Sequence, residues 1–148
     1  HVTALGGRWE GLNELLAAAD FVTLHCPLNS ETKKMIGARE LELLKPTVYL
    51  INAARGGIID EQALWRVLNE KKIAGAVLDV VENEPPEKDH PLLQLDNVIL
   101  TPHLGAMTVE AARRGEWGAA EEVIRVLEGS RPKNPIFVAD EARLLMPA

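Results

Sequence analysis

Four short, β-prone runs recur along the chain, and each is separated from the next by a segment with helical or turn patterning. The runs occupy residues 21–25, 48–52, 76–80 and 98–100. Such short, mostly apolar runs are typical of strands that are covered on both faces. Their alternation with helical segments indicates parallel crossover connections. The sequence therefore predicts an α/β fold built on a doubly wound parallel sheet.

Helical spacing of apolar residues predicts four helices around these runs. They are expected at residues 11–19, 38–44, 60–72 and 108–128. In the first of them, Leu12, Leu15 and Leu16 share one face. Asp60 is a suitable N-cap for the third, because its side chain can accept a hydrogen bond from the first helical turn.

The composition of the 148 residues excludes several classes of partner and site. The formal net charge is −6 and no Lys/Arg cluster occurs, so we expect neither a nucleic-acid partner nor a membrane partner. No apolar run approaches the roughly 18 residues of a membrane span. The chain has a single cysteine, Cys26, and its four histidines are not spaced as metal ligands usually are. We therefore expect no bound metal. These features favour a cytoplasmic protein.

Chemically useful side chains follow three of the predicted strands. Arg55 comes after the second run, Glu84 after the third and His103 after the fourth. Ligands of parallel sheets bind outside the carboxyl ends of the strands, so these three are expected at one edge. Arg presents a planar fork to a carboxylate, and His titrates near neutrality. The set suits a small anionic substrate and a proton transfer.

The residues alone leave simpler interpretations open. His103 could be an ordinary loop histidine, and Glu84 could be a solvated loop carboxylate. Arg55 could merely bind carbonyl groups of its own loop. Cys26 follows an apolar run and is most simply a small packing residue.

Four motifs in a fixed order identify a specific resemblance. They are Ala-Ala-Asp-Phe-Val at 18–22 with His-Cys-Pro-Leu at 25–28, Asn-Ala-Ala-Arg-Gly-Gly at 52–57, Leu-Asp-Val-Val-Glu-Asn-Glu-Pro at 78–85, and Thr-Pro-His-Leu-Gly-Ala-Met-Thr at 101–108. From about residue 11 to residue 134 the chain resembles the D-isomer-specific 2-hydroxyacid dehydrogenases. The resemblance implies a Rossmann-type fold and transfer of a hydride between NAD or NADP and a small 2-keto or 2-hydroxy acid.

The resemblance also assigns roles by position. Arg55 would bind the substrate carboxylate, His103 would be the acid/base, and Glu84 would orient His103 and keep it protonated. Asp79 would contact the nicotinamide carboxamide. The residues expected to bind the cofactor are His25, Cys26, Pro27, Leu28, Thr32, Asn52, Ala53, Ala54, Arg55, Asp79, His103, Gly105 and Ala106.

The chain lacks the phosphate-binding Gly-x-Gly-x-x-Gly motif of dinucleotide-binding folds. The resemblance therefore implies a C-terminal portion of a longer enzyme. Residues 1–128 would form a partial dinucleotide-binding domain from its third strand onward, without its first two strands. Residues 129–148 would lead back towards a substrate domain. Two strands are expected between the runs at 21–25 and 48–52. The isolated chain is expected to be inactive.

The same family contains NADH-sensing corepressors, and this alternative stays open at the level of sequence. An inactive truncated remnant is a further alternative. These residues do not distinguish between phosphoglycerate, glyoxylate and hydroxypyruvate as the substrate. The choice between NAD and NADP is equally open. The resemblance implies a homodimer for the full-length protein.

Overall fold

A computed structural model describes residues 3–135 of the chain. Its first compact unit, His1–Gly105, contains a four-stranded parallel sheet. The strands are β1 (Phe21–Leu24), β2 (Tyr49–Asn52), β3 (Gly75–Leu78) and β4 (Val98–Leu100). All four lie within the predicted runs or extend them by one residue, and the predicted parallel α/β fold is confirmed.

Helices connect the strands close to where the sequence predicts them. They are α1 (Leu12–Ala18), α2 (Ala38–Glu42) and α3 (Glu61–Asn69). The carboxylate of Asp60 caps α3 by accepting a hydrogen bond from the Ala63 amide at 3.1 Å. On the apolar face of α1, only Leu16 is buried, whereas Leu12 and Leu15 are exposed.

The strand order differs from the predicted one. We expected two strands between the runs at 21–25 and 48–52, but β1 pairs directly with β2, and the four strands follow one another in chain order. The expectation was wrong because it took the first run as the third strand of the nucleotide fold. Local sequence specifies a strand but not its neighbours. β2 is therefore an inner strand with no open edge.

The strand ends lie in one row across the sheet. Leu24 pairs with Asn52, Asn52 with Leu78, and Leu78 with Leu100. The loops that follow the four strands therefore start side by side. This register brings the predicted functional residues to one sheet edge.

Apolar side chains from the strands and helices form the core of this unit. Those that are fully buried include Leu16, Ile36, Leu41, Leu50, Ile58, Leu64, Leu68, Leu78 and Leu92. Two polar residues, Asn52 and Asp79, are also buried, and both lie at the carboxyl edge of the sheet. Because buried polar groups need hydrogen-bond partners, we expect the side chains of these two residues to bind the loops that follow their strands.

The second unit, Ala106–Ala148, contains one long helix, α4 (Val109–Leu127). Thr108 caps α4 by accepting the Ala111 amide at 3.1 Å. The unit boundary thus precedes α4, whereas the sequence placed the domain boundary at residue 128, and that assignment remains a prediction. Residues 136–148 of the predicted C-terminal segment lie outside the described residues. Within residues 3–135, no helix is long and apolar enough to cross a membrane.

Candidate active site

Asp79, the first residue after β3, organises the loop that follows β4. Its Oδ1 accepts hydrogen bonds from the Thr101 hydroxyl at 2.5 Å and from the Leu104 amide at 2.8 Å. Its Oδ2 accepts the Gly105 amide at 2.8 Å. Asp79 as a whole residue is only 9% exposed. The Asp79 carboxylate therefore binds three residues of the loop from residue 101 to residue 105 and helps to hold this loop to the end of β3.

These donors stabilise the charged form of Asp79. The Thr101 hydroxyl and the Leu104 and Gly105 amides hold the pKa of Asp79 below its ordinary value, although burial acts in the opposite direction. A folded-state pKa below the unfolded value of about 3.9 contributes stability that is fully present above that pH. The contribution is lost as the pH falls through the lowered folded-state pKa.

We therefore expect Asp79→Asn to lower the free energy of unfolding by about 1–3 kcal/mol at neutral pH, because buried amides lose a charged acceptor. The difference from the unsubstituted chain should narrow as the pH falls below about 4. Urea denaturation across this pH range measures both effects. Asp89→Asn is the matched control, since Asp89 is exposed. A difference that is constant with pH would contradict the assignment.

His103 lies in this loop with left-handed backbone, at φ 54°. Non-glycine residues rarely adopt this conformation, and such residues cluster at functional sites. The His103 amide donates to the Asp79 carbonyl at 3.0 Å. On the ring, Nδ1 lies 2.7 Å from Glu84 Oε2. With Nδ1 paired, Nε2 is the ring nitrogen that could exchange a proton with a bound molecule.

Glu84 is held in position from two directions. Its Oε2 contacts His103, and its Oε1 accepts the Val81 amide at 3.1 Å. The hydrogen bond with His103 is the main cause that lowers the pKa of Glu84, and the positive charge of Arg55 adds to it. Glu84 therefore stays ionised beside the imidazole of His103.

A cavity of about 310 Å³ adjoins the His103–Glu84 pair. Asp79, Glu84, Thr101 and His103 line it together with apolar side chains. The acid–base pair thus faces a space of the size that small ligands occupy.

Arg55 is placed by the loop that follows β2. The buried Asn52 accepts the Ala54 amide at 3.1 Å and donates to the Arg55 carbonyl at 2.9 Å. The Arg55 Nη1 donates to the Ala54 carbonyl at 2.6 Å, so the side chain does bind a carbonyl of its own loop. A Cβ atom on Gly56 would lie 2.1 Å from the Val81 carbonyl carbon. Only glycine permits this approach of the Arg55 loop to the Glu84 loop.

The residues predicted to bind a cofactor fall into three places. The first place is an open depression of about 690 Å³ at the ends of β1 and β2. It is lined by His25, Cys26, Pro27, Leu28, Ala53, Ala54 and Arg55. Thr32 lies beside it and donates to the Pro27 carbonyl at 2.6 Å. Asn52, Asp79, His103 and Gly105 lie in the loop network described above. Ala106 belongs to the second unit. Among the described residues, no group of three or more His, Cys, Asp or Glu side chains could hold a metal.

Thr101 lies within one of the four motifs, but its position in the sequence predicts no role for it. The structure shows that it is the hydroxyl partner of Asp79. This contact depends on the parallel pairing of Leu78 with Leu100, which places the next residue of each strand side by side, and local sequence does not reveal that register.

Comparison with known proteins shows which family the chain resembles. The D-isomer specific 2-hydroxyacid dehydrogenase NAD binding domain matches residues 1–105. D-3-phosphoglycerate dehydrogenase of Methanocaldococcus jannaschii is 49% identical over 127 residues, which are 86% of this chain and 24% of that protein. Glyoxylate reductase of Thermofilum pendens is 44% identical over 136 residues, or 92% and 40% of the two chains.

A solved structure gives the same result. The NAD-complexed D-isomer specific 2-hydroxyacid dehydrogenase of Lactobacillus delbrueckii ssp. bulgaricus superposes with a TM-score of 0.80 at 32% identity, over 87% of this chain and 43% of that one. The chain therefore spans less than half the length of these relatives. It belongs to the family of D-isomer specific 2-hydroxyacid dehydrogenases and carries part of their NAD binding domain.

Proposed function

We propose that this chain supplies the substrate-binding and proton-transfer groups of an NAD(P)-dependent D-2-hydroxyacid dehydrogenase that reduces a small 2-keto acid. The observation that carries the proposal is the contact of 2.7 Å between His103 Nδ1 and Glu84 Oε2, within reach of the Arg55 charge. The named relatives are a dehydrogenase and a reductase, so the comparisons support the oxidoreductase and not the corepressor alternative.

Arg55 binds the substrate in this proposal. A 2-keto acid carries one carboxylate, and a guanidinium can donate two parallel hydrogen bonds to it. This contact fixes the orientation of the neighbouring keto group. The hydrogen bonds of Asn52 and the close packing of Gly56 against the Val81 backbone hold the Arg55 backbone in place. The side chain that carries the guanidinium therefore starts from a fixed position.

His103 transfers the proton. Its Nε2 donates a proton to the keto oxygen as the keto carbon is reduced to the hydroxy acid, and the reverse reaction returns the proton to Nε2. Glu84 remains ionised, orients the ring through Nδ1 and stabilises the imidazolium that serves as the acid. Asp79 fixes the loop from which His103 projects.

The residues at the ends of β1 and β2 fit a nicotinamide cofactor. Ala53 and Ala54 carry small side chains, and together with Pro27 and Leu28 they leave an open depression beside Arg55. A bound cofactor would supply the hydride for the reduction. His25, Cys26, Thr32, Asn52, Gly105 and Ala106 complete the proposed cofactor-binding set. NAD and NADP remain equally compatible with these residues.

A chimera tests the proposal. The aligned 40% of the Thermofilum pendens glyoxylate reductase is replaced by the matching residues of this chain. We expect this chimera to oxidise NADH or NADPH when glyoxylate is added. The isolated 148-residue chain should not oxidise NADH or NADPH in the presence of glyoxylate. It should also not bind NADH tightly in a fluorescence titration. A folded chimera without turnover would refute the proposal.

A homodimer and a cytoplasmic location remain part of the proposal. In the second unit, α4 exposes large apolar side chains, among them Trp117 and Leu127. Exposed apolar surface of this kind is consistent with a partner-covered helix.

A further inference from the structure

Glu61 lies at the start of α3, outside the cavity beside His103, and yet it is tied to the loop that carries Glu84. Its Oε1 accepts the Glu82 amide at 2.5 Å. Its Oε2 lies 3.4 Å from Nε2 of His90. The side chains of both Glu61 and His90 are only 17% exposed. The two oxygens of one carboxylate therefore face two different points of the same loop.

These two points flank Glu84 along the chain. Glu82 comes two residues before Glu84, and His90 comes six residues after it. The segment from 81 to 90 forms no helix or strand, so backbone pairing does not fix its course. Its course depends instead on individual contacts, of which the Glu61 carboxylate supplies one on each side.

The environment of Glu61 is unusual for the first turn of a helix. Burial raises the pKa of this carboxyl, and the Glu82 amide and His90 oppose the rise. The Glu82 side chain adds a nearby negative charge. Asp60 already caps α3, so the helix does not require a second, desolvated carboxylate at Glu61.

We propose that Glu61 is a positioning residue that holds both flanks of the loop 82–90 and thereby sets Glu84 against His103. Its importance for catalysis rests on the proposed function, whereas its effect on Glu84 does not. His90 is its partner on the far flank. Loss of either contact would let Glu84 move away from the imidazole.

The titration of Glu84 in the 148-residue chain tests this proposal. The contact with His103 is the main cause that keeps the pKa of Glu84 low. With carbon-labelled glutamate, NMR should therefore show that Glu61→Ala raises the pH at which Glu84 titrates. Glu61→Gln retains an oxygen for the Glu82 amide, and its NH₂ group can donate to Nε2 of a neutral His90, so it should restore most of the low value. Gln62→Ala, an exposed change on the same helical turn, should leave Glu84 unaffected.

The outcomes separate this proposal from the proposed function. Should Glu84 titrate at an ordinary pH in the unsubstituted chain, the Glu84–His103 pair itself would be refuted. A low pKa that survives Glu61→Ala would refute only the positioning role. If Glu61→Ala does not fold, His90→Ala gives the same test, since losing the far flank should also raise the pKa of Glu84. An unchanged value in His90→Ala would then overturn the proposal.

Discussion

We expect His103→Asn in the glyoxylate reductase chimera to lower kcat by about 10²- to 10⁴-fold, the usual contribution of a positioned acid or base. Asn is the informative replacement because it tolerates left-handed backbone, so the loop at φ 54° need not rearrange. Its amide cannot donate a proton to an alkoxide as an imidazolium does. Steady-state kinetics with saturating NADH and varied glyoxylate measures the change.

The matched control for this substitution is Asp89→Asn, which also introduces Asn at an exposed loop position. It should leave kcat unchanged. Urea denaturation of both variants establishes that each is folded. A folded His103→Asn chimera that retains kcat within a factor of about two would contradict the role of His103 as the acid, because positioned acids contribute far more.

The second large effect concerns Arg55. We expect Arg55→Gln to raise the KM for glyoxylate by about 10- to 150-fold, because charged hydrogen bonds contribute about 1.5–3 kcal/mol and about 1.4 kcal/mol corresponds to a factor of ten. Arg55→Lys keeps the charge but loses the planar fork, so its KM for glyoxylate should lie between that of the unsubstituted chimera and that of Arg55→Gln. Initial rates over a wide range of glyoxylate concentrations give both constants.

Arg66→Gln is the control, because Arg66 is exposed on α3. Its KM should match that of the unsubstituted chimera. If Arg55→Gln changed neither KM nor kcat, the guanidinium would not bind the carboxylate. Its hydrogen bond to the Ala54 carbonyl would then be its whole function.

Much of the fold follows from local sequence, and the errors arise where distant segments meet. The strands and helices agree with the predicted runs within a few residues, because short β-prone runs and helical spacing are local signals. The order of the strands is a long-range property, and the expected gap between β1 and β2 was wrong. The face of α1 was also predictable, but not the exposure of Leu12 and Leu15, since periodicity does not reveal what covers a helix.

The candidate site shows the same division. That Arg55, Glu84 and His103 would meet at one sheet edge followed from the carboxyl-end rule for parallel sheets. The sequence did not predict that Asp79 accepts hydrogen bonds from two loop amides, because backbone amides leave no pattern in the sequence. Glu61 was missed for the same reason, since one of its partners is the amide of Glu82.

In the proposed function, this chain carries the proton-transfer and carboxylate-binding groups of a D-specific reductase. The most direct test is the configuration of the product when the chimera reduces hydroxypyruvate, determined by chiral chromatography. We expect the D-2-hydroxy acid, formed at a rate that His103→Asn abolishes almost completely. An L or racemic product, or a rate that His103→Asn leaves unchanged, would contradict it.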